Sequence, residues 1–301
     1  MFETWNVQLA KTYKPGTLRE GTWFSISQKI NGTRATFFAG KLVSRTGHEF
    51  LGFSHIIEEL QQLNKQFEYD YVFDGELRLA PQFAKNLTDN EAFRIGNGIA
   101  NTQKSFNEKN KLIFIIFDLI NTRWFIDDSC NENYSKRLEK LNFLRDYTLA
   151  NCNYVRIVPV IYSGYDLSQI EVASDTAYHL GYEGIMINLD KVYEYKRSSN
   201  LLKYKKFNTI DLQIIGFQEG IGKYEGMLGA FICKYKNNLI PVGSGLNDNM
   251  RYNVWQNKND YINKIIEVKY KDVSYNKETG LESLQFPIFL QIRTDKLKPD
   301  A

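Results

Sequence analysis

The stretch Gln28-Lys29-Ile30-Asn31-Gly32-Thr33-Arg34 joins two β-prone runs and concentrates side chains that can do chemistry. Lys29 is an amine that a tight turn can present, with Gly32 free to take a positive φ without a Cβ clash. Such an amine becomes a nucleophile when burial or a nearby cation lowers its pKa. Arg34 is permanently charged and shaped to grip phosphate oxygens in pairs. Taken alone, the simpler reading is a β-hairpin with a surface lysine and arginine, because short motifs recur by chance.

Other segments carry comparable chemistry. Tyr71–Leu79 reads as a strand with Asp74 and Glu76 on either side of Gly75, by itself no more than a charged turn. Glu183 sits beside Gly184 at the head of the β-prone Ile185–Ile187. Lys203 and Lys205 are two apart, so on a strand they point to the same face. Two adjacent ammonium groups repel, and an anion between them is the natural reason for the pairing. A solvated edge strand guarded by lysines is the alternative. Leu112–Leu119 is a continuous apolar run, a buried central strand by pattern, which makes Phe117 a core residue by default.

The elements that must position these groups can be read in order. Trp23–Ser27 alternates like a half-buried strand and leads into Lys29, and Ala35–Phe38 and Leu42–Gly47 give two more strands. Ser54 is expected to cap a helix carrying Ile56, Ile57, Leu60, Leu63 and Phe67 at helical spacing. Residues 82–110 have no strong period and read as helix and loop. Asn133–Thr148 is helical, and Asp166–Gln169 resembles a capping box opening a helix that stops before Gly181. From Thr209 the texture changes to short strands at 212–217, 228–235, 239–243, 265–270 and 288–293, with a helix over 249–262. Five strands and an inserted helix fit a small OB-type barrel, which sets a domain boundary at 208/209.

Composition narrows the classes. The 301 residues suffice for one large or two smaller domains, and 43% hydrophobic residues supply a core. Lys+Arg of 38 against Asp+Glu of 35 leaves only +3, which argues against a simple polybasic nucleic-acid binder. Cys130, Cys152 and Cys233 are scattered with no CxxC, so they read as reduced thiols and not as a zinc site. Three histidines make a His-based metal centre a poor fit. No apolar run approaches the ~20 residues of a membrane span and no signal peptide is visible, so the expectation is a soluble, cytoplasmic protein without membrane partners.

Together the segments resemble the nucleotidyltransferase superfamily of ATP-dependent DNA ligases, mRNA capping enzymes and RNA ligases. Lys29-Ile-Asn-Gly-Thr-Arg34 is similar to its KxDGxR motif, Asp74-Gly75-Glu76 to the third motif, and Phe117-Asp118 to the aromatic motif that follows. Glu183-Gly184-Ile185-Met186 resembles EGxM/V, Lys203-Tyr204-Lys205 resembles KxK, and Arg293-Thr294-Asp295-Lys296 resembles RxDK. Six motifs in the family's order span residues 29–296, and within the superfamily the likeness is to the minimal two-domain DNA ligases of large DNA viruses and phages (the Chlorella virus type). The segments carrying it include Lys41–Gly47, Trp255–Lys258 and Phe286–Arg293.

The resemblance implies an α+β architecture: an ATP-grasp-like nucleotidyltransferase domain of antiparallel sheets with flanking helices over 1–208, then an all-β OB-fold domain over 209–301. It implies that Lys29 attacks the α-phosphate of ATP, that AMP passes to the 5′-phosphate of a nick in duplex DNA, and that the 3′-hydroxyl displaces AMP. Lys203 and Lys205 would hold the α-phosphate, while Gln28 and Arg34 would contact the nucleotide. Phe117 would stack on adenine. Asp74, Glu76 and Glu183 would serve Mg²⁺ (or Mn²⁺) or the ribose. Arg45 would read the 5′-phosphate, and Arg293 and Lys296 would orient pyrophosphate. A monomer forming a C-shaped clamp on nicked duplex DNA is implied as well. The rivals are an RNA or mixed-polynucleotide ligase, an mRNA guanylyltransferase using GTP, and a non-catalytic OB-fold binder. Two departures stand out: Asn31 replaces the usual Asp, and only a short glycine turn between Phe217 and Phe231 occupies the place of a lysine-rich latch.

Overall fold

The computed structural model describes residues 6–103, 106–275, 279–296 and 298–301. The chain divides into two compact units, Met1–Lys206 and Phe207–Ala301. A cut at 208/209 would split a strand that already begins at Asn208.

The first unit carries strands β1 (Leu9–Thr12), β2 (Phe24–Gln28), β3 (Thr33–Phe38), β4 (Lys41–Ser44), β5 (Tyr71–Leu79), β6 (Leu112–Asn121), β7 (Val155–Ile157), β8 (Val160–Gly164), β9 (Ile185–Leu189) and β10 (Arg197–Tyr204). Its helices are α1 (Ser54–Asn64), α2 (Pro81–Ala84), α3 (Asp89–Asn101), α4 (Thr122–Ile126), α5 (Tyr134–Asn151) and α6 (Ser168–His179). They frame two five-stranded sheets of order β1-β10-β9-β2-β8 and β4-β3-β5-β6-β7. Each is antiparallel except at one parallel pair, β1 with β10 and β6 with β7.

The second sheet buries one face under α1, α3 and α5. Ile56, Leu60 and Leu63 of α1 and Leu138, Leu141 and Leu144 of α5 meet Phe73, Phe114 and Ile116 of the strands. Each such side chain contributes roughly 1.5–3 kcal/mol when fully buried. The first sheet packs Phe24, Ile26, Ile185 and Ile187 against Ile170, Ala173 and Ala177 of α6. Because β2 lies inside this sheet, Ser25 and Ser27 are buried too, so β2 is not the half-buried strand its alternation suggested.

The second unit carries β11 (Asn208–Glu219), β12 (Leu228–Tyr235), β13 (Asn238–Val242), α7 (Asp248–Gln256), β14 (Ile265–Tyr270), β15 (Val273–Tyr275), β16 (Glu282–Leu284) and β17 (Ile288–Ile292). Antiparallel pairing gives the order β13-β12-β11-β14-β17. A bridge between Ser244 and Ile288 brings the two edges together, with Phe289 N–H donating to the Ser244 carbonyl at 2.8 Å. That closure is the OB-type barrel, with α7 between its third and fourth main strands.

Local expectations needed correction where partners, not pattern, decide. Ser54 is the first residue of α1, and the cap position is Phe53 with no side-chain bond. Asp166 accepts from Ser168 N–H at 3.0 Å one residue ahead of the cap position, in place of a capping box. The helix expected over 249–262 stops at Gln256, because a 3-10 turn follows at Lys258–Asp260. The β15–β16 hairpin was not foreseen.

Candidate active site

Lys29 follows the last residue of β2, and its N–H donates to the Gly184 carbonyl at 2.9 Å. Gly184 has φ +141°, and a Cβ there would lie 2.3 Å from the Tyr204 carbonyl oxygen. Only glycine fits, and its fit brings Glu183 against the end of β10. The Glu183 carboxylate is then shared: Oε2 accepts from Lys29 Nζ and Oε1 from Lys205 Nζ. Burial would raise the Glu183 carboxyl, but the Lys29 charge and the two lysine hydrogen bonds hold it below its ordinary range. Lys203 lines the same pocket two residues before Lys205.

Gly32 does not take the positive φ anticipated from sequence. It is needed for space: an added Cβ would stand 2.7 Å from the Leu77 carbonyl oxygen and 3.0 Å from Glu76 Cβ. The loop that follows Lys29 is thereby pressed onto β5.

Arg34 grips Asp74 with both ends of its fork, Nε to Oδ1 at 2.6 Å and Nη2 to Oδ2 at 2.5 Å. Asp74 is fully buried and also accepts from the Tyr193 hydroxyl at 2.8 Å. That hydroxyl accepts from the Gln8 N–H at 2.8 Å. Burial lifts the Asp74 carboxyl above its ordinary range, and Arg34 and Tyr193 pull it back. The guanidinium also lies 4.6 Å from the Phe117 ring centroid. Phe117 is partly exposed within the otherwise buried heart of β6, so it is a wall of the pocket and not the core residue its pattern suggested.

Gln28, Lys29, Arg34, Glu76, Phe117 and Lys203 line one pocket, with Ser27, Met186 and Asn188. Glu76 is the odd member: its Oε2 is buried without a hydrogen-bond partner. Burial is the main cause that raises its carboxyl to about 7, against the pull of Arg34 and Lys29.

The three carboxylates expected at a metal do not act as a cage. Among the described residues no three His, Cys, Asp or Glu side chains gather for a cation. Asp74 is committed to Arg34 and Tyr193, which makes it the anchor of Arg34, and Glu183 is bridged by two lysines. Arg45 is exposed on the turn after β4 and does not line the pocket. In the second unit, Arg293 holds buried Asp211 at 2.9 Å and Asp295 at 2.7 Å, and Lys296 pairs with Asp211 and Asp300. Tyr193 and Gln8 went unnoticed in the sequence, for they lie in irregular stretches and meet Asp74 only through the fold.

A family model described as ATP dependent DNA ligase domain matches residues 7–205, well over half of the chain. The chain belongs to the ATP-dependent DNA ligase family. A second model, DNA ligase OB-like domain, matches residues 219–293. The DNA ligase of Enterobacteria phage T4 is 27% identical over 315 residues, covering 87% of this chain and 61% of that ligase. The Haemophilus influenzae DNA ligase is 26% identical over 258 residues, covering 83% of this chain and 81% of that protein. The chain therefore spans about three fifths of the phage ligase. A solved structure named Pmar-Lig_PreS3 shares the fold at a TM-score of 0.76 and 23% identity, covering 96% of this chain and 68% of that one. A solved Lig E DNA ligase does so at 0.67 and 21%, covering 96% and 99%.

Proposed function

We propose that this ligase-family chain seals 5′-phosphate/3′-hydroxyl nicks in duplex DNA, as a monomer, through an AMP carried on Lys29. The observation that carries the reading is the single pocket in which Lys29, Lys203, Arg34, Phe117 and Glu76 converge, with Lys205 tied to Lys29 through Glu183. In the first step the Lys29 nitrogen attacks the α-phosphorus of ATP. A P–N bond forms, the bond to the bridging oxygen breaks, and pyrophosphate leaves. Glu183 touches Nζ and is the place for its proton. Lys203 and Lys205 neutralise the equatorial oxygens, where positioning and charge do most of the work in phosphoryl transfer.

Phe117 offers its ring to adenine, and Arg34, locked by Asp74, presents the edge of its fork to the nucleotide. The 5′-phosphate of the nick then displaces Lys29 from AMP, and the 3′-hydroxyl displaces AMP to close the strand. Arg45 is assigned to the 5′-phosphate, and Arg293 and Lys296 of the second unit to pyrophosphate.

The orphaned Glu76 oxygen fits a hard cation or a ribose hydroxyl, whereas the full Asp74–Glu76–Glu183 trio does not fit a cage. A Mg²⁺ held by Glu76 and by phosphate oxygens would add positive charge where the reaction builds negative charge. Incubation with ATP, Mg²⁺ and a 5′-phosphorylated nicked duplex is expected to give joined strands, and Lys29→Ala to give none. Joining with GTP but not ATP, or none by the unsubstituted chain, would contradict the reading.

A further inference from the structure

Asn31 stands two residues beyond Lys29 and is only 7% exposed. Its Nδ2 donates to Asp89 Oδ2 at 2.9 Å, and the other Asp89 oxygen accepts from Arg78 Nη2 at 3.0 Å. Three elements meet in this chain of contacts: the nucleophile loop, the first turn of α3 and β5. Thr33 adds a parallel tie, its hydroxyl donating to Asn97 Oδ1 on α3 at 2.9 Å. From the opposite side Gly32 is pressed against Glu76 and Leu77 of β5. The loop that aims Lys29 is thus held between α3 and β5.

The chemistry at position 31 is directional. An amide can donate to Asp89, whereas a carboxylate there could only accept. Two carboxylates at that distance cannot both ionise without moving apart. Asp89 itself sits at the start of α3, where the positive end of the helix favours a negative charge.

We infer that Asp89 is a positioning residue for the nucleophile, acting through Asn31 to hold the loop that aims Lys29 at the α-phosphate. The inference rests on the adenylylation reading above. It assigns the carboxylate beside this loop to α3, and makes Asn31 and Asp89 a matched donor–acceptor pair.

The test is the single-turnover rate of covalent AMP formation by the full chain, with melting temperatures measured alongside. Asn31→Asp should slow that rate roughly 10- to 100-fold, since small misplacements of a reacting group carry penalties of that size. The KM for ATP should stay within about threefold, because the nucleotide contacts are untouched. Asn31→Asp/Asp89→Asn restores a donor opposite an acceptor and should recover most of the loss. The Asn31→Asp deficit relative to the unsubstituted chain should also shrink as pH falls from about 8 to about 6, as one shared proton rebuilds the hydrogen bond. Full-rate adenylylation by Asn31→Asp, or a double variant no faster than the single, would overturn the inference. Absence of covalent AMP on the unsubstituted chain would instead overturn the reading on which it rests.

Discussion

One oxygen of the Glu76 carboxylate is buried without a hydrogen-bond partner, and burial pushes the carboxyl up to about 7. Between the ordinary value of 4.5 and about 7, the unfolded chain ionises while the folded one stays protonated. The protein therefore loses stability as pH rises through that window. Glu76→Gln should be more stable than the unsubstituted chain at pH 8 by on the order of 1–3 kcal/mol, and no more stable near pH 4. It should also adenylylate more slowly, because the orphaned oxygen is then an amide. Urea unfolding at both pH values checks the first point, and equal stabilities at pH 8 would refute it. At this scale Lys29, Lys203, Arg34 and Glu76, picked out in the sequence, are the side chains the fold gathers in one pocket. Tyr193, Gln8 and Asp89 were not picked out, since each meets its partner across a span of chain that no local period records.

Among the elements, α3 bears most directly on the site. Thr88 opens it with a reciprocal capping box: Glu91 N–H donates to the Thr88 hydroxyl at 3.3 Å, and Thr88 N–H to the Glu91 carboxylate at 2.8 Å. That backbone bond is the largest cause holding the Glu91 carboxyl below its ordinary range. Its support is present above the unfolded pKa and is lost as pH falls through the lower folded value. Thr88→Ala should cost about 1 kcal/mol of stability, the usual size of a lost cap. If α3 braces the nucleophile loop, the same variant should slow covalent AMP formation. An unchanged urea midpoint would show the box to be idle. Residues 82–110 read only as helix and loop, without bounds, because Asn90, Asn97, Gly98 and Asn101 interrupt the apolar spacing. The buried stripe of Ala92, Gly96 and Ala100 is made of small residues that carry little hydrophobic signal.

For the molecule as a whole, the sequence revealed two different textures and an OB-type barrel, because glycine turns and β-branched runs mark short strands well. It missed β15 and β16, whose Ser274, Glu282 and Ser283 carry little strand signal. Net charge is only +3, and β11 and β12 are joined by residues 220–227 alone. On the proposed reading, binding to nicked duplex would be made through lysine and arginine contacts to phosphate. Its affinity should fall at least roughly a hundredfold between about 50 and 200 mM salt, as expected when several counterions are released. Fluorescence anisotropy with a labelled nicked duplex measures this, and a flat salt dependence would contradict it.

The reading stands or falls on a covalent bond at one atom. The decisive measurement is a pulse of α-phosphate-labelled ATP with Mg²⁺, mapping of the labelled peptide, and a chase with unlabelled 5′-phosphorylated nicked duplex. Label on the peptide containing Lys29, discharged as strands join, is the predicted result. Label on another peptide, label that the nicked duplex does not discharge, or no covalent label at all would contradict it.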